Sequence, residues 1–259
     1  MANSSISLAQ RALLPIAIVQ LIVPALPALG IGDPIGDSAS EAMMRAPETP
    51  PGPFFAIWGV IFLAYLGFAV WAQRSSQYVI RSITPPLAMA GLMSILWMLM
   101  RQARLNDYAV HAVLLALFVA AFIAAQRFDR TRGTGGSPGR WVADVATGLL
   151  AGWMTLATAL STTDLLRQTL GLGNTDAEWW MLALTLAIAV GVALFAFARV
   201  TASPYYVIAL AWGLIGIVIN LWSNVQLHVP AVLTGLLALI LILRRILVGA
   251  SGVQDDISP

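Results

Sequence analysis

Cysteine and lysine are both missing from the 259 residues. Without Cys there are no disulfides, no thiolate metal sites and no thiol nucleophile. Charge is scarce as well, at 10% of residues, and none falls at the centre of any of eight separate apolar stretches. A charge at mid-bilayer costs about 2.5–3.5 kcal/mol on insertion scales, so pumps and ion-coupled carriers keep one only where the mechanism requires it. This pattern argues against an ion path. Histidine is limited to His111 and His228, both close to span ends and without HxxxH or HxxE spacing, so they read as interfacial residues rather than metal or haem ligands. The loops hold no GxSxG elbow, phosphate loop or paired carboxylates. Gly133-Thr134-Gly135-Gly136-Ser137-Pro138-Gly139 lacks a following Lys-Ser/Thr and reads as a flexible basic linker. No catalytic or metal-ligating residue is assigned, the chain is not expected to be an enzyme, and no nucleic-acid partner is expected.

What is present is hydrophobic: 59% of residues, with a mean hydropathy of +0.83, outside the range of soluble domains. In lipid the backbone must satisfy its own hydrogen bonds, so continuous apolar runs of about 20 residues predict helices, whereas barrel strands would show about ten residues of alternating polarity. The expected fold is an all-α, polytopic membrane bundle of about eight transmembrane helices. The spans are placed at 12–31, 53–72, 85–100, 107–126, 141–163, 178–198, 204–224 and 229–247. The third is the shortest. Arg11 followed by a run ending in Ala25-Leu26-Pro27-Ala28 has some signal-peptide character, but it is counted as a span.

All fourteen positive charges are Arg. Alternating the connections puts ten of them (Arg11, Arg74, Arg81, Arg127, Arg130, Arg132, Arg140, Arg199, Arg244 and Arg245) on the side holding both termini. The other side holds Arg45, Arg101, Arg104 and Arg167, with most of the carboxylates. The positive-inside rule then predicts both termini in the cytoplasm. The acidic loop from Asp33 to Glu48 reads as a solvated tether, with a lid over a cavity mouth as the alternative.

The second span carries Phe54, Trp58, Phe62, Tyr65 and Phe68 at spacings of four, four, three and three, which form one aromatic stripe on a helix. Packing and interfacial anchoring account for such a stripe as readily as binding does. Trp141, Trp179, Trp180 and Trp222 sit near span ends, as headgroup anchors do. Trp58, Trp97, Trp153 and Trp212 lie deeper, where an indole N–H needs a partner. The polar groups inside the spans are neutral, among them Gln20, Ser94, Thr155, Thr158, Ser161 and Asn220. They suit a cavity for a mostly apolar ligand with a few hydrogen-bonding groups.

Thr49-Pro50-Pro51-Gly52 followed by Phe55 and Trp58, Ser94-Ile95-Leu96-Trp97 in the third span, and Trp153-Met154-Thr155-Leu156-Ala157-Thr158-Ala159-Leu160-Ser161 in the fifth have the order of three motifs. Together they resemble the translocator protein family, also called tryptophan-rich sensory proteins. The resemblance covers the first five spans and divides the chain into a translocator-like region at 1–165, three further helices at 166–248 and a cytoplasmic tail at 249–259. It extends to longer bacterial members that share F-x-I-W-G and a late segment, here Trp212-Gly213-Leu214-Ile215-Gly216-Ile217. There are departures. The loop from Gly30 to Gly52 contains no Trp or Tyr, the family's Asn positions are Ser94 and Ser161, and its Tyr four residues after the second-span Trp is Phe62.

The resemblance implies an intrahelical cavity binding a porphyrin or similar apolar aromatic ligand, possible cargo including bacteriochlorophyll, a carotenoid or lipid, in a bacterial inner membrane. Phe55, Trp58, Phe62, Ser94, Trp97, Trp153, Ala157 and Ser161 are the ligand-binding candidates. No covalent cofactor is expected; expected partners are membrane lipids, the apolar ligand, and a homo-oligomer or larger membrane complex. One alternative is an accessory subunit of such a complex, with Gly148-Leu149-Leu150-Ala151-Gly152 as a GxxxG contact face. The other is a carrier without ion coupling.

Overall fold

The structure, a computed structural model, describes residues 7–34, 45–74, 77–131, 139–174, 178–222 and 228–251, and among these it is helical without strands. The middle of the acidic loop (35–44), the linker segment 132–138 and the tail 252–259 lie outside the described residues. Eight α-helices run in order: α1 (Leu8–Ile22), α2 (Ile57–Ala72), α3 (Tyr78–Gln102), α4 (Asp107–Asp129), α5 (Arg140–Leu170), α6 (Glu178–Arg199), α7 (Pro204–Trp222) and α8 (His228–Ser251). A 3-10 turn over Val23–Leu29 prolongs α1, and another over Gly52–Ala56 leads into α2. Counting those turns, α1 to α7 are long and apolar enough to cross a membrane, and α8 adds a shorter apolar stretch, His228–Ile240. The chain is an integral membrane protein with the all-α bundle that its composition predicts.

Two helices outrun the apolar pattern. α3 begins at Tyr78 rather than at residue 85, and Pro85 and Pro86 sit inside it. Pro86 has no N–H to give the carbonyl four residues back. That carbonyl, on Ser82, instead accepts from Arg127 Nη1 on α4 at 3.1 Å. α5 continues past residue 163 to Leu170 and stops at Gly171, whose φ of 66° is left-handed. At 31 residues it is about 46 Å long against a hydrocarbon core of about 30 Å, so its polar last turns stand clear of the lipid.

Helix packing centres on α5. α1 packs on α2 and α3, α3 on α4, and both α2 and α4 on α5, which closes a ring in the order α1, α2, α5, α4, α3. α6 and α7 pack on α5 too, and α8 packs on α7. α5 is therefore shared by the ring and the additional helices, and it is the most buried of the apolar spans.

Small residues permit the close contacts. A Cβ on Gly152 would lie 2.1 Å from the Tyr206 carbonyl oxygen, and one on Gly148 would lie 2.4 Å from Ser203 Oγ. The GxxxG face is thus filled by α7 of the same chain and offers no surface to a partner. Beside it Tyr206, fully buried, shares a 2.7 Å hydrogen bond with Thr155. At the start of α1, Ser7 and Gln10 form a capping box. Gln10 Nε2 also donates to Ala72 O at 3.2 Å, and Gln73 donates back to Gln10 O, which stitches α1 to the end of α2.

Candidate functional site

The inner face of α2 carries Trp58, Phe62, Tyr65 and Phe68, all buried. Trp58 stacks on Trp97 of α3 with centroids 5.6 Å apart and an interplanar angle of 29°. Trp153 of α5 meets Trp58 edge-on at 6.3 Å, and Phe55 meets Trp153 edge-on at 5.8 Å. Phe62 lies 5.5 Å from Trp58. Five of the eight candidates therefore join one aromatic cluster between α2, α3 and α5. Trp58, Trp97 and Trp153 are 4%, 9% and 0% exposed.

Ala157, one turn beyond Trp153 on α5, is partly buried against the hydrophobic core of the bundle. The two serines are placed differently. Ser94 Oγ is buried, accepts from Gln20 Nε2 of α1 at 2.8 Å and donates to Gly91 O at 2.8 Å, so its hydroxyl is occupied inside the bundle. Ser161 Oγ lies 2.9 Å from His111 Nδ1 of α4, two turns or about 12 Å along α5 from Trp153. His111 is therefore partly buried and paired with Ser161, more than an interfacial anchor.

Some buried polar atoms have no hydrogen-bond partner among the described residues, including Trp153 Nε1, Thr158 Oγ1 and Gln20 Oε1. An unpaired buried donor costs about 1–3 kcal/mol. Trp153 is informative because its ring is enclosed by the aromatic cluster while its N–H is left over.

The segment before α2 is fastened to α5 and α7, and its Phe55 reaches the cluster at Trp153. Ala46, Pro47, Glu48 and Pro50 are buried, so this part of the loop is packed rather than a solvated tether. Glu48 receives both Arg167 Nε at 2.9 Å and Nη2 at 3.2 Å, and the side chains are 3% and 2% exposed respectively. Arg167 Nη1 also donates to Gly173 O at 2.9 Å. Asn220 of α7 donates to Ala46 O and Pro47 O at 3.0 and 3.1 Å and accepts from Arg45 Nη1.

The late Trp-Gly-Leu-Ile-Gly segment forms the receiving surface. A Cβ on Gly216 would lie 2.8 Å from both Pro50 and Phe54, and one on Gly213 would lie 2.2 Å from Leu156 and 3.2 Å from Trp153. Trp212 departs from the expected pocket lining: it is 41% exposed, and its Nε1 donates to Phe54 O at 2.8 Å. It holds the proline-led turn from outside. Trp141, Trp179, Trp180 and Trp222 are exposed, as anchors at span ends should be. Among the described residues no group of three or more His, Asp or Glu could hold a metal ion.

Sequence reasoning missed the Glu48–Arg167 pair, because each residue reads as an ordinary loop charge and 119 positions separate them. It also missed Tyr206, which nothing marks apart from the other aromatics of α7. The arrangement can present π faces and edges to a flat apolar molecule, with one indole N–H to donate. No curated protein and no solved structure matches the chain. The sequence model of the family described as TSPO-like protein matches residues 14–248, from within α1 to within α8. With the fold and this match spanning nearly the whole sequence, the chain belongs to the TSPO-like protein family.

Proposed function

We propose that this protein is a membrane binding or sensory protein for a tetrapyrrole or a similar flat, apolar aromatic ligand, taken into the aromatic cluster between α2, α3 and α5. Family membership supports a ligand-binding or sensory role in a membrane. The observation that carries the finer reading is the Trp153 indole, fully buried against Trp58 and Phe55 with its N–H unpartnered. A conjugated ring stacks on Trp58 or Trp97, and a ring nitrogen, carbonyl or carboxylate on its edge accepts from Trp153. Because Trp58 and Trp97 are already in contact, the ligand separates them on entry. It is admitted at the end covered by residues 45–56.

The test is titration of the full chain in mild detergent with protoporphyrin IX, followed by the shift of the porphyrin absorption band. Trp58→Ala and Trp153→Phe are each expected to weaken binding by tenfold or more, while Trp222→Phe, outside the cluster, leaves it unchanged. Unchanged affinity in both cluster variants, with their elution profiles intact, overturns the assignment. On the orientation that the arginine distribution predicts, with both termini in the cytoplasm, the mouth covered by residues 45–56 faces the opposite side.

A further inference from the structure

A second feature lies outside the ring, on the face where α4 and α6 flank α5. Phe118, Phe122 and Ile123 of α4 and Gly191, Val192 and Phe195 of α6 line an open apolar groove of about 420 Å³. Its size falls within the range of about 300–1,000 Å³ typical of small-molecule sites. The floor is packed from behind: Phe122 lies edge-on against Tyr206 at 6.3 Å, and Tyr206 is in turn hydrogen-bonded to Thr155. Gly191 sits mid-helix and exposed, and a Cβ built there meets nothing within 4 Å. Among the described residues no neighbour requires a glycine at that position, unlike Gly148 and Gly152. Its missing side chain simply keeps the groove open.

The two helices converge below the groove. Gln126 Nε2 donates to Arg199 O at 3.0 Å, and Asp129 Oδ1 accepts from Ala202 N at 2.8 Å. Arg199 follows Val192 by seven residues and Arg130 follows Ile123 by seven, so each guanidinium-bearing residue lies on the groove side of its helix, about 10 Å along the axis. Both are exposed. The neighbouring carboxylate, Asp129, is partly buried with one oxygen turned to the α6–α7 connection. Arg127 stands at the same end, with one nitrogen on Ser82 O. The groove is thus wholly apolar where lipid tails lie and strongly positive where headgroups lie.

We propose that the α4/α6 groove is a binding site for an anionic phospholipid, with one acyl chain against Gly191 and the phosphate held by Arg130 and Arg199. A basic patch beside a cleft between transmembrane helices has the chemistry that selects anionic headgroups from the cytoplasmic leaflet, and Arg matches a phosphate with paired donors. A zwitterionic lipid fills the same groove but brings an ammonium towards the arginines. A helix from another protein would lie against the apolar wall without using them. The site is separate from the aromatic cluster and stands or falls independently of it.

The experiment is native mass spectrometry of the full chain in detergent with equal amounts of phosphatidylglycerol and phosphatidylethanolamine of the same chain length. The wild type is expected to retain phosphatidylglycerol at least fivefold over phosphatidylethanolamine. Gly191→Leu fills the groove and loses both lipids, whereas Arg130→Gln/Arg199→Gln removes the preference and keeps the remaining binding. In the unaltered protein, phosphatidylglycerol with a photoreactive acyl chain labels 118–123 and 191–195. Equal retention of the two lipids, undiminished retention by Gly191→Leu, or labelling spread evenly over α1 and α8 overturns the proposal. So does a stable heteromer cross-linked through Phe118 or Phe195 with no lipid retained.

Discussion

Glu48 and Arg167 form a two-pronged ion pair across 119 residues of chain, at 2.9 and 3.2 Å, with neither side chain more than 3% exposed. It fastens the segment before α2 to the far end of α5. Removing one member of such a pair strands the other charge, which costs about 3–5 kcal/mol, while replacing both with apolar residues is far milder. Arg167→Met should therefore lower stability by an amount in that range and speed proteolysis at 45–50. Glu48→Leu/Arg167→Met should recover much of it. Denaturant unfolding in detergent of Glu48→Leu, Arg167→Met and the double variant checks this; a double loss equal to the sum of the two single losses would show that the charges are not coupled.

Glycines that look alike in the sequence should respond differently to the same methyl group. At Gly152 the added carbon meets the Tyr206 backbone at 2.1 Å, and at Gly191 it meets nothing. Gly152→Ala pushes α5 from α7 and should cost about 1–3 kcal/mol or more, while Gly191→Ala should stay within about 0.5 kcal/mol of wild type. Thermal unfolding of the two variants side by side is sufficient, and similar melting temperatures would refute the close-packing account.

The Gln20–Ser94 contact predicts an asymmetry. Ser94 also donates to Gly91 O, so Gln20→Leu leaves its hydroxyl satisfied and eliminates the unpartnered Gln20 Oε1. Its effect should be under about 1 kcal/mol in either direction. Ser94→Ala instead leaves the buried Gln20 amide without its acceptor and should cost about 1–3 kcal/mol. Chemical denaturation of both variants decides the matter; the reverse order would mean that packing, not hydrogen bonding, dominates there.

Arg127 serves α3 by capping the Ser82 carbonyl that Pro86 leaves open. Arg127→Ala should destabilise by about 0.5–1.5 kcal/mol. In a Pro86→Ala background, where the backbone supplies its own N–H, the same change should be nearly neutral. A double-mutant cycle measures the coupling directly, and additive effects would rule out the capping role.

Much of this was legible beforehand. The eight helices and the aromatic face of α2 follow from apolar run length and helical spacing, whereas the grouping of Trp58, Trp97 and Trp153 was implied only by the family resemblance. The ends of α3 and α5 did not, because Pro85, Pro86, Asp164 and Arg167 read as breaks, and the partners that accommodate Pro86 and Arg167, namely Arg127 and Glu48, lie elsewhere in the chain. Trp212 read as interior because it lies deep in an apolar run, yet depth along a helix does not say which face meets the bundle.

Sequence alone determined that the chain is a membrane-spanning helical bundle, because a long apolar segment in lipid can satisfy its backbone only as a helix. It also carried the motifs that the family match bears out. Tertiary structure alone decided which faces meet: that Gly148 and Gly152 admit α7 rather than another protein, that α7 receives the proline-led turn, and that Glu48 finds Arg167. Lipid tails are as apolar as the helices, so burial does not choose the pairing. Shape fit and interhelical hydrogen bonds choose it, and these exist only once the helices are together.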